Sequence, residues 1–207
     1  MSYKKPIMKA DSVRVFYLHK YGGVYSDLDV IPLKPMDELL GNNDLVLARM
    51  EVPSLDPNDP DTNWYYVNQI PNAWMASKPG HPFWLHAAKL MIALAEEKRE
   101  MPVEEQTGPI VIYRAYYEYA ALQQEKKQQD DLPSITLADP QNIFPYSWAP
   151  VSSKELHMIC SQQSPHFNPP QCRKAVDPGN KSYAISYWSH TWDKKRSRYL
   201  FWRMLGY

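Results

Sequence analysis

The sequence is poor in glycine and poorer in cysteine, with 7 and 2 residues among 207. It has no excess charge of either sign, with 23 Lys+Arg against 23 Asp+Glu. Each scarcity excludes something. Without a basic excess the chain cannot neutralise phosphates along a nucleic acid, so no nucleic-acid partner is expected. The longest strictly apolar run, Leu90–Ala95, is about a third of the roughly 20 residues that span a bilayer. The lysines at positions 4 and 5 are followed by no apolar core, so no signal peptide is visible. The chain as given therefore reads as soluble, with no visible anchor. No Cys-x-x-Cys or His/Cys zinc spacing is present, and there are no internal repeats.

What is present is a folding composition: 44% hydrophobic, 13% aromatic and 19 prolines. The aromatics alone supply large buriable area, so disorder is excluded. A chain of this length suits one large domain that hides about 70% of its unfolded surface. Spacing predicts a helix over Ala10–Tyr21, begun at Asp11 and Ser12, with Val13, Phe16, Tyr17 and Lys20 on one face and stopped at Gly22. A single strand is expected over Val24–Leu33, then a helical turn over Pro35–Leu40. Strands are expected at Leu45–Met50, Asn72–Ser77, Ile135–Ala138 and Tyr183–Trp188. Long helices are expected at His81–Arg99 and Thr107–Gln123, and a basic closing helix at Lys194–Leu205. Residues 53–63 and the Pro- and Ser-rich stretch 139–180 read as loops, the second as a loop-rich insertion in a single domain, 1–207. Strands alternating with helices give an α/β domain with a mixed, mainly parallel sheet.

The informative segment is Tyr21-Gly22-Gly23-Val24-Tyr25-Ser26-Asp27-Leu28-Asp29-Val30. On an extended backbone Asp27 and Asp29 share one face, about 7 Å apart at Cα. Flanked by buriable Val24, Leu28, Val30 and Ile31, two such carboxylates repel unless a cation or a donor neutralises them. A hard divalent ion would do so and leave positions open for a phosphate. The plain alternative is that one aspartate caps a neighbouring element and the other is solvated. An EF-hand is excluded, because Ile31 and Pro32 occupy its fifth and sixth loop positions. A glycosidase pair normally flanks a bond from separate elements, not from positions i and i+2 of one strand.

Together with Asp11 and Arg14 on the preceding helix, this segment and its continuation Ile31-Pro32-Leu33-Lys34-Pro35 resemble the DXD-containing sugar-transferase signature. That signature belongs to glycosyltransferase family 32 and its relatives, the fungal Golgi mannosyltransferases, inositol-phosphoceramide mannosyltransferases and α-1,4-galactosyltransferases. Weaker echoes are Asn72 with Ala76-Ser77-Lys78-Pro79-Gly80-His81, then Thr107-Gly108-Pro109, and finally Tyr183-Ala184-Ile185 with Ser189-His190-Thr191-Trp192.

The resemblance implies a GT-A-like (Rossmann-like) fold and a metal-dependent retaining transferase using Mn²⁺ or Mg²⁺. The implied donor is a nucleotide-sugar, GDP-mannose in preference to a UDP-hexose, and the implied acceptor a glycan or glycolipid. Asp29 is then the direct metal ligand, and Asp27 contacts the donor and the metal's water shell. Asp11 and Arg14 hold donor-sugar hydroxyls, although an ordinary helix ion pair has the same i,i+3 spacing. Tyr25 packs beside the nucleotide or belongs to the core, Asn72 faces the donor cleft, and His81 caps the helix after it. Trp192 closes over the donor or is core. Relatives carry a metal-site histidine after the Tyr-Ala-Ile-like strand. Here that position is Ser186, which leaves His190 as the candidate third ligand. No dedicated nucleophile is visible, and a front-face route, in which the departing phosphate oxygen takes the acceptor's proton, needs none. Relatives place a strand-helix-strand unit ahead of the Asp11–Arg14 helix, so the chain as given is expected to be N-terminally short, with an incomplete base pocket and a missing membrane anchor. The family works in the Golgi lumen or on its membrane.

Cys160 and Cys172 suit one disulfide in a Pro/Ser-rich segment or two reduced thiols. Asn180-Lys181-Ser182 is an N-glycosylation pattern. The rival function from another class is a catalytically impaired, sugar-binding or scaffolding relative, a reading that Ser186 motivates.

Overall fold

The structure is a computed structural model and describes residues 3, 5–52, 70–97, 99–125, 132–149 and 151–189. The loop expected at 53–63, the helix at 194–205, and His190 and Trp192 lie outside the described residues. In chain order the elements are α1 (Pro6–Tyr21), β1 (Gly23–Ser26), β2 (Val30–Pro32), α2 (Asp37–Leu40), β3 (Leu45–Ala48), β4 (Trp74–Ser77), α3 (Phe83–Glu96), α4 (Val103–Gln106), α5 (Pro109–Glu125), β5 (Ile135–Ala138), α6 (Pro140–Ile143), α7 (Lys154–Cys160), α8 (Pro169–Val176) and β6 (Ala184–Ser186). They divide into two compact units.

The first unit is drawn from Met1–Ser26, Asp37–Ala48 and Ile70–Ala138. Its sheet has the order β1-β4-β3-β5. β4 runs antiparallel to both β1 and β3, and β3 runs parallel to β5. The class is α/β and the sheet mixed, as expected, but only the β3–β5 pairing among the described residues is parallel. The reason lies in the connections. A parallel neighbour needs a long crossover, and the one supplied, α3 to α5, carries the chain from β4 past β3 to pair β5 with the far edge of β3. Leu45-Val46-Leu47-Ala48 and Trp74-Met75-Ala76-Ser77 are buried at every position, which explains their continuous rather than alternating apolar pattern. α3 packs between α1 and α5 and contributes Phe83, Trp84 and Met91 to the core.

α1 starts four residues earlier than expected because Pro6 occupies a first-turn position, where its missing N–H costs nothing. Asp11 and Ser12 therefore lie inside the helix. The face carrying Val13, Phe16 and Tyr17 is 44%, 52% and 59% exposed. The buried face carries Met8, Asp11, Arg14, Val15 and Leu18 instead. Gly22, at φ 63°, ends the helix, and its N–H bonds Leu18 O at 2.9 Å. A Cβ there would stand 2.6 Å from Pro79 N and 2.7 Å from Ser77 O. Only glycine lets the helix end come this close to the end of β4.

The second unit is drawn from Asp27–Met36, Arg49–Gln69 and Asp139–Tyr207. β2 and β6 pair antiparallel with Val30 opposite Ser186. The stretch 139–180 is rich in loop, as expected, but it also contains three short helices, α6, α7 and α8, that were not expected. The residues that suggested loop are helix-start signals. Asp139, Ser153 and Asn168 accept hydrogen bonds from the N–H groups of Gln141, Leu156 and Gln171, and Pro140 and Pro169 stand at first-turn positions. A disulfide between Cys160 and Cys172, Cα atoms 5.0 Å apart, ties α7 to α8. Among the described residues no helix is long and apolar enough to cross a membrane.

Candidate active site

On the buried side of α1, Asp11 and Arg14 form an ion pair, Arg14 Nη2 to Asp11 Oδ1 at 3.1 Å, with both side chains 4% exposed. Asn72, just ahead of β4, donates from Nδ2 to Asp11 Oδ1 at 3.0 Å. Its carbonyl accepts from Arg14 Nη1 at 2.7 Å. Thr107, at the end of α4, donates from Oγ1 to Asp11 Oδ2 at 3.0 Å. The Arg14 guanidinium stacks 4.3 Å from the centre of the Tyr25 ring on β1. The Asp11 carboxylate thus receives donors from three different side chains, which is what a buried charge requires to offset its desolvation. Asp11, Arg14, Tyr25 and Asn72 are brought together as one cluster. Thr107 completes it and was not among the expected site residues. Its only signal in the sequence was the Thr-Gly-Pro echo.

In the second unit the strand expected over Val24–Leu33 is broken. Asp27-Leu28-Asp29 is a turn between β1 and β2, closed by Val30 N–H to Asp27 O at 3.1 Å. The two aspartates therefore do not share the face of an extended strand. They stand on either side of Leu28, which is fully exposed. Of the four flanking residues read as buriable, Val30 is buried, whereas Val24, Leu28 and Ile31 are 45%, 105% and 43% exposed. Both aspartates are half-buried. Asp29 Oδ2 accepts two hydrogen bonds, from Ser189 N at 2.9 Å and Ser189 Oγ at 2.7 Å.

The turn's chemistry fits a hard divalent cation. It offers carboxylate oxygens from two side chains, and Asp29 keeps Oδ1 clear of protein donors among the described residues. Among the described residues no group of three or more His, Cys, Asp and Glu side chains gathers at any point. Such a donor set suits an ion that fills its remaining positions from phosphate oxygens and water. Ser186, the position at which the resemblance led to the expectation of a metal-site histidine, is wholly buried opposite Val30 and accepts from Trp188 N at 3.1 Å.

His81 caps α3 as expected, accepting from Phe83 N at 3.2 Å through Nδ1. Burial holds its pKa below the ordinary value, so it serves as a neutral acceptor. Asn180 is exposed, and Ser182 is buried against Gln141, from which its hydroxyl accepts at 2.9 Å.

Residues 1–46 match the family described as glycosyltransferase sugar-binding region containing DXD motif. That span holds Asp11, Arg14, Tyr25, Asp27 and Asp29. The chain is 38% identical over 86 residues to the Initiation-specific alpha-1,6-mannosyltransferase of Candida albicans, covering 38% of this chain and 22% of that protein. It is 40% identical over 86 residues to Inositol phosphoceramide mannosyltransferase 1 of Schizosaccharomyces pombe, covering 42% and 22%. It is 32% identical over 123 residues to Mannosyl phosphorylinositol ceramide synthase CSH1 of Saccharomyces cerevisiae, covering 57% and 28%. The chain thus spans between 22% and 28% of the length of these relatives. Among solved structures, PaToxG Glycosyltransferase superposes with a TM-score of 0.37 at 20% identity, over 58% of this chain and 41% of that one. The N-terminal part of the chain is thus similar to the DXD-containing sugar-binding region of glycosyltransferases and to fungal mannosyltransferases.

Proposed function

We propose that this chain is a metal-dependent retaining glycosyltransferase of GT-A-like fold, a single catalytic domain. It moves mannose from GDP-mannose to a glycan or glycolipid. The observation that carries the reading is the Asp27-Leu28-Asp29 turn, with the Asp29 carboxylate oriented from outside the turn by Ser189. Relatives named for mannosyl transfer favour mannose over the hexose of a UDP donor.

In this reading Asp29 and Asp27 hold Mn²⁺ or Mg²⁺, with His190 as a third candidate. When bound, the ion acts as a Lewis acid toward the leaving diphosphate. The chain's own residues bind and orient. Asp11 and Arg14, with Asn72 and Tyr25, form the donor-sugar side, and their mutual hydrogen bonds fix them before any ligand arrives, so little ordering is left to do on binding. Trp192 belongs to the donor side by resemblance. The acceptor hydroxyl's proton leaves on the departing phosphate oxygen, so no protein nucleophile is needed. The disulfide agrees with an oxidising compartment such as the Golgi lumen.

A second reading, a catalytically impaired sugar-binding or scaffolding relative, is favoured by Ser186, which is buried and has its hydroxyl engaged by Trp188 N. A thermal-shift panel of GDP, UDP, GDP-mannose and UDP-glucose, each with and without Mn²⁺, separates the readings. The proposal expects stabilisation by GDP and GDP-mannose that depends on Mn²⁺. A larger shift with the uridine compounds would reassign the donor, and no shift with any nucleotide would remove the enzyme reading.

A further inference from the structure

The DXD turn does not hold Asp29 in place by itself. Its internal hydrogen bond joins Val30 N–H to Asp27 O and leaves the Asp29 side chain to outside partners. Those partners come from a segment 160 positions away in sequence, where Ser189 N and Oγ both donate to Oδ2. Two donors converging on one oxygen fix both torsions of the carboxylate and leave the other oxygen to a ligand.

Ser189 is itself clamped. Gln163 Nε2 donates to Ser189 O at 2.7 Å and to Trp188 O at 3.2 Å. Gln163 is held in turn by Ser161 Oγ, which donates to its Oε1 at 2.6 Å. Ser161 directly follows Cys160, the α7 end of the disulfide. Trp188, immediately before Ser189, has φ 51°, a left-handed conformation that costs a bulky residue energy and persists only where its surroundings enforce it. Two hydrogen bonds enforce it: Trp188 N donates to Ser186 Oγ at 3.1 Å and its indole N–H to Tyr146 O at 2.9 Å. Every group in this chain of contacts belongs to the second unit.

We propose that Ser189, clamped by Gln163 and presented by the left-handed turn at Trp188, is a positioning residue that fixes the Asp29 carboxylate for divalent-metal binding. The inference rests on the reading of Asp29 as a metal ligand. Groups that orient a ligand carboxylate change metal affinity by roughly 10–100-fold when removed. The disulfide-tied α7–α8 pair acquires a role here as the anchor of that orientation.

The test is Mn²⁺ affinity of the purified chain with GDP present, read from the electron paramagnetic resonance signal of free Mn²⁺, beside the melting temperature of each variant. Ser189→Ala keeps the backbone donor and loses the hydroxyl. It should bind Mn²⁺ about 10-fold more weakly at an unchanged melting temperature, and Ser189→Thr should restore binding. Gln163→Met, which removes the clamp at a different residue, should weaken Mn²⁺ binding in the same direction, so the claim does not hang on one variant folding. If Ser189→Ala and Gln163→Met bind Mn²⁺ like wild type while Asp29→Ala does not bind, the positioning role is overturned and the metal reading stands. If Asp29→Ala binds as well as wild type, or wild type does not bind, both are overturned.

Discussion

Asp11 and Arg14 carry opposite charges three positions apart on one helix, a spacing that usually means a solvated surface pair worth a few tenths of a kcal/mol. Here both are 4% exposed, and burial changes the arithmetic. Removing one partner of a buried pair leaves an uncompensated charge, at a cost of about 3–5 kcal/mol. Asp11→Ala also strands the Asn72 amide and the Thr107 hydroxyl. For a domain of this size it should lower the melting temperature by roughly 6–20 °C. Differential scanning calorimetry checks this, and a fall under about 2 °C would mean the pair behaves as a surface pair. The spacing of Asp11 and Arg14 was legible in the sequence, because helix periodicity is local. Their partners were not. Asn72 and Thr107 lie 61 and 96 positions from Asp11, and only tertiary packing could bring them in. Ser189 and Asp29 are the same case at a longer range.

At the scale of elements, strands and helices with strong apolar runs were readable. β5 falls on the expected residues, and α5 lies within two residues of the expected Thr107–Gln123 at each end. Two misreadings have local causes. The run from Val24 to Leu33 looks continuous because Leu28 is apolar, yet Leu28 is an exposed turn residue between two half-buried aspartates. The 139–180 stretch looked irregular because its caps and first-turn prolines are also loop residues. Short helices carry too few turns for periodicity to outweigh them. One of these helices carries a pH dependence. His157 on α7 is buried, and its Nδ1 lies 2.9 Å from the Tyr146 hydroxyl. Burial holds the His157 pKa below its ordinary 6.5, and burial likewise raises the Tyr146 phenol's, so the tyrosine donates to a neutral imidazole. The unfolded chain takes up a proton at this histidine more readily than the folded one. Stability contributed by the neutral imidazole is therefore present above pH 6.5 and is lost as the pH falls from there toward the lower folded value. Urea midpoints at pH 8 and pH 5 should show a larger acid loss for wild type than for His157→Gln, while His81, shifted in the same direction, contributes equally to both. Parallel losses would contradict the assignment.

At the scale of the whole molecule, the motif in residues 1–46 is distributed over both compact units, with Asp11, Arg14 and Tyr25 in one and Asp27 and Asp29 in the other. A sequence signature of this kind records the order of functional groups along the chain. It does not record which element carries each group, which is why the function class was readable where the strand carrying it was not. The central claim is that Asp27 and Asp29 serve metal-dependent transfer from a nucleotide-sugar. Its most direct measurement is release of GDP from GDP-mannose by the purified chain with Mn²⁺, beside Asp29→Ala. Release should require Mn²⁺ and fall by at least about 100-fold in Asp29→Ala, a barrier change of about 2.7 kcal/mol. Release that is the same without Mn²⁺, or the same in Asp29→Ala, would contradict the claim.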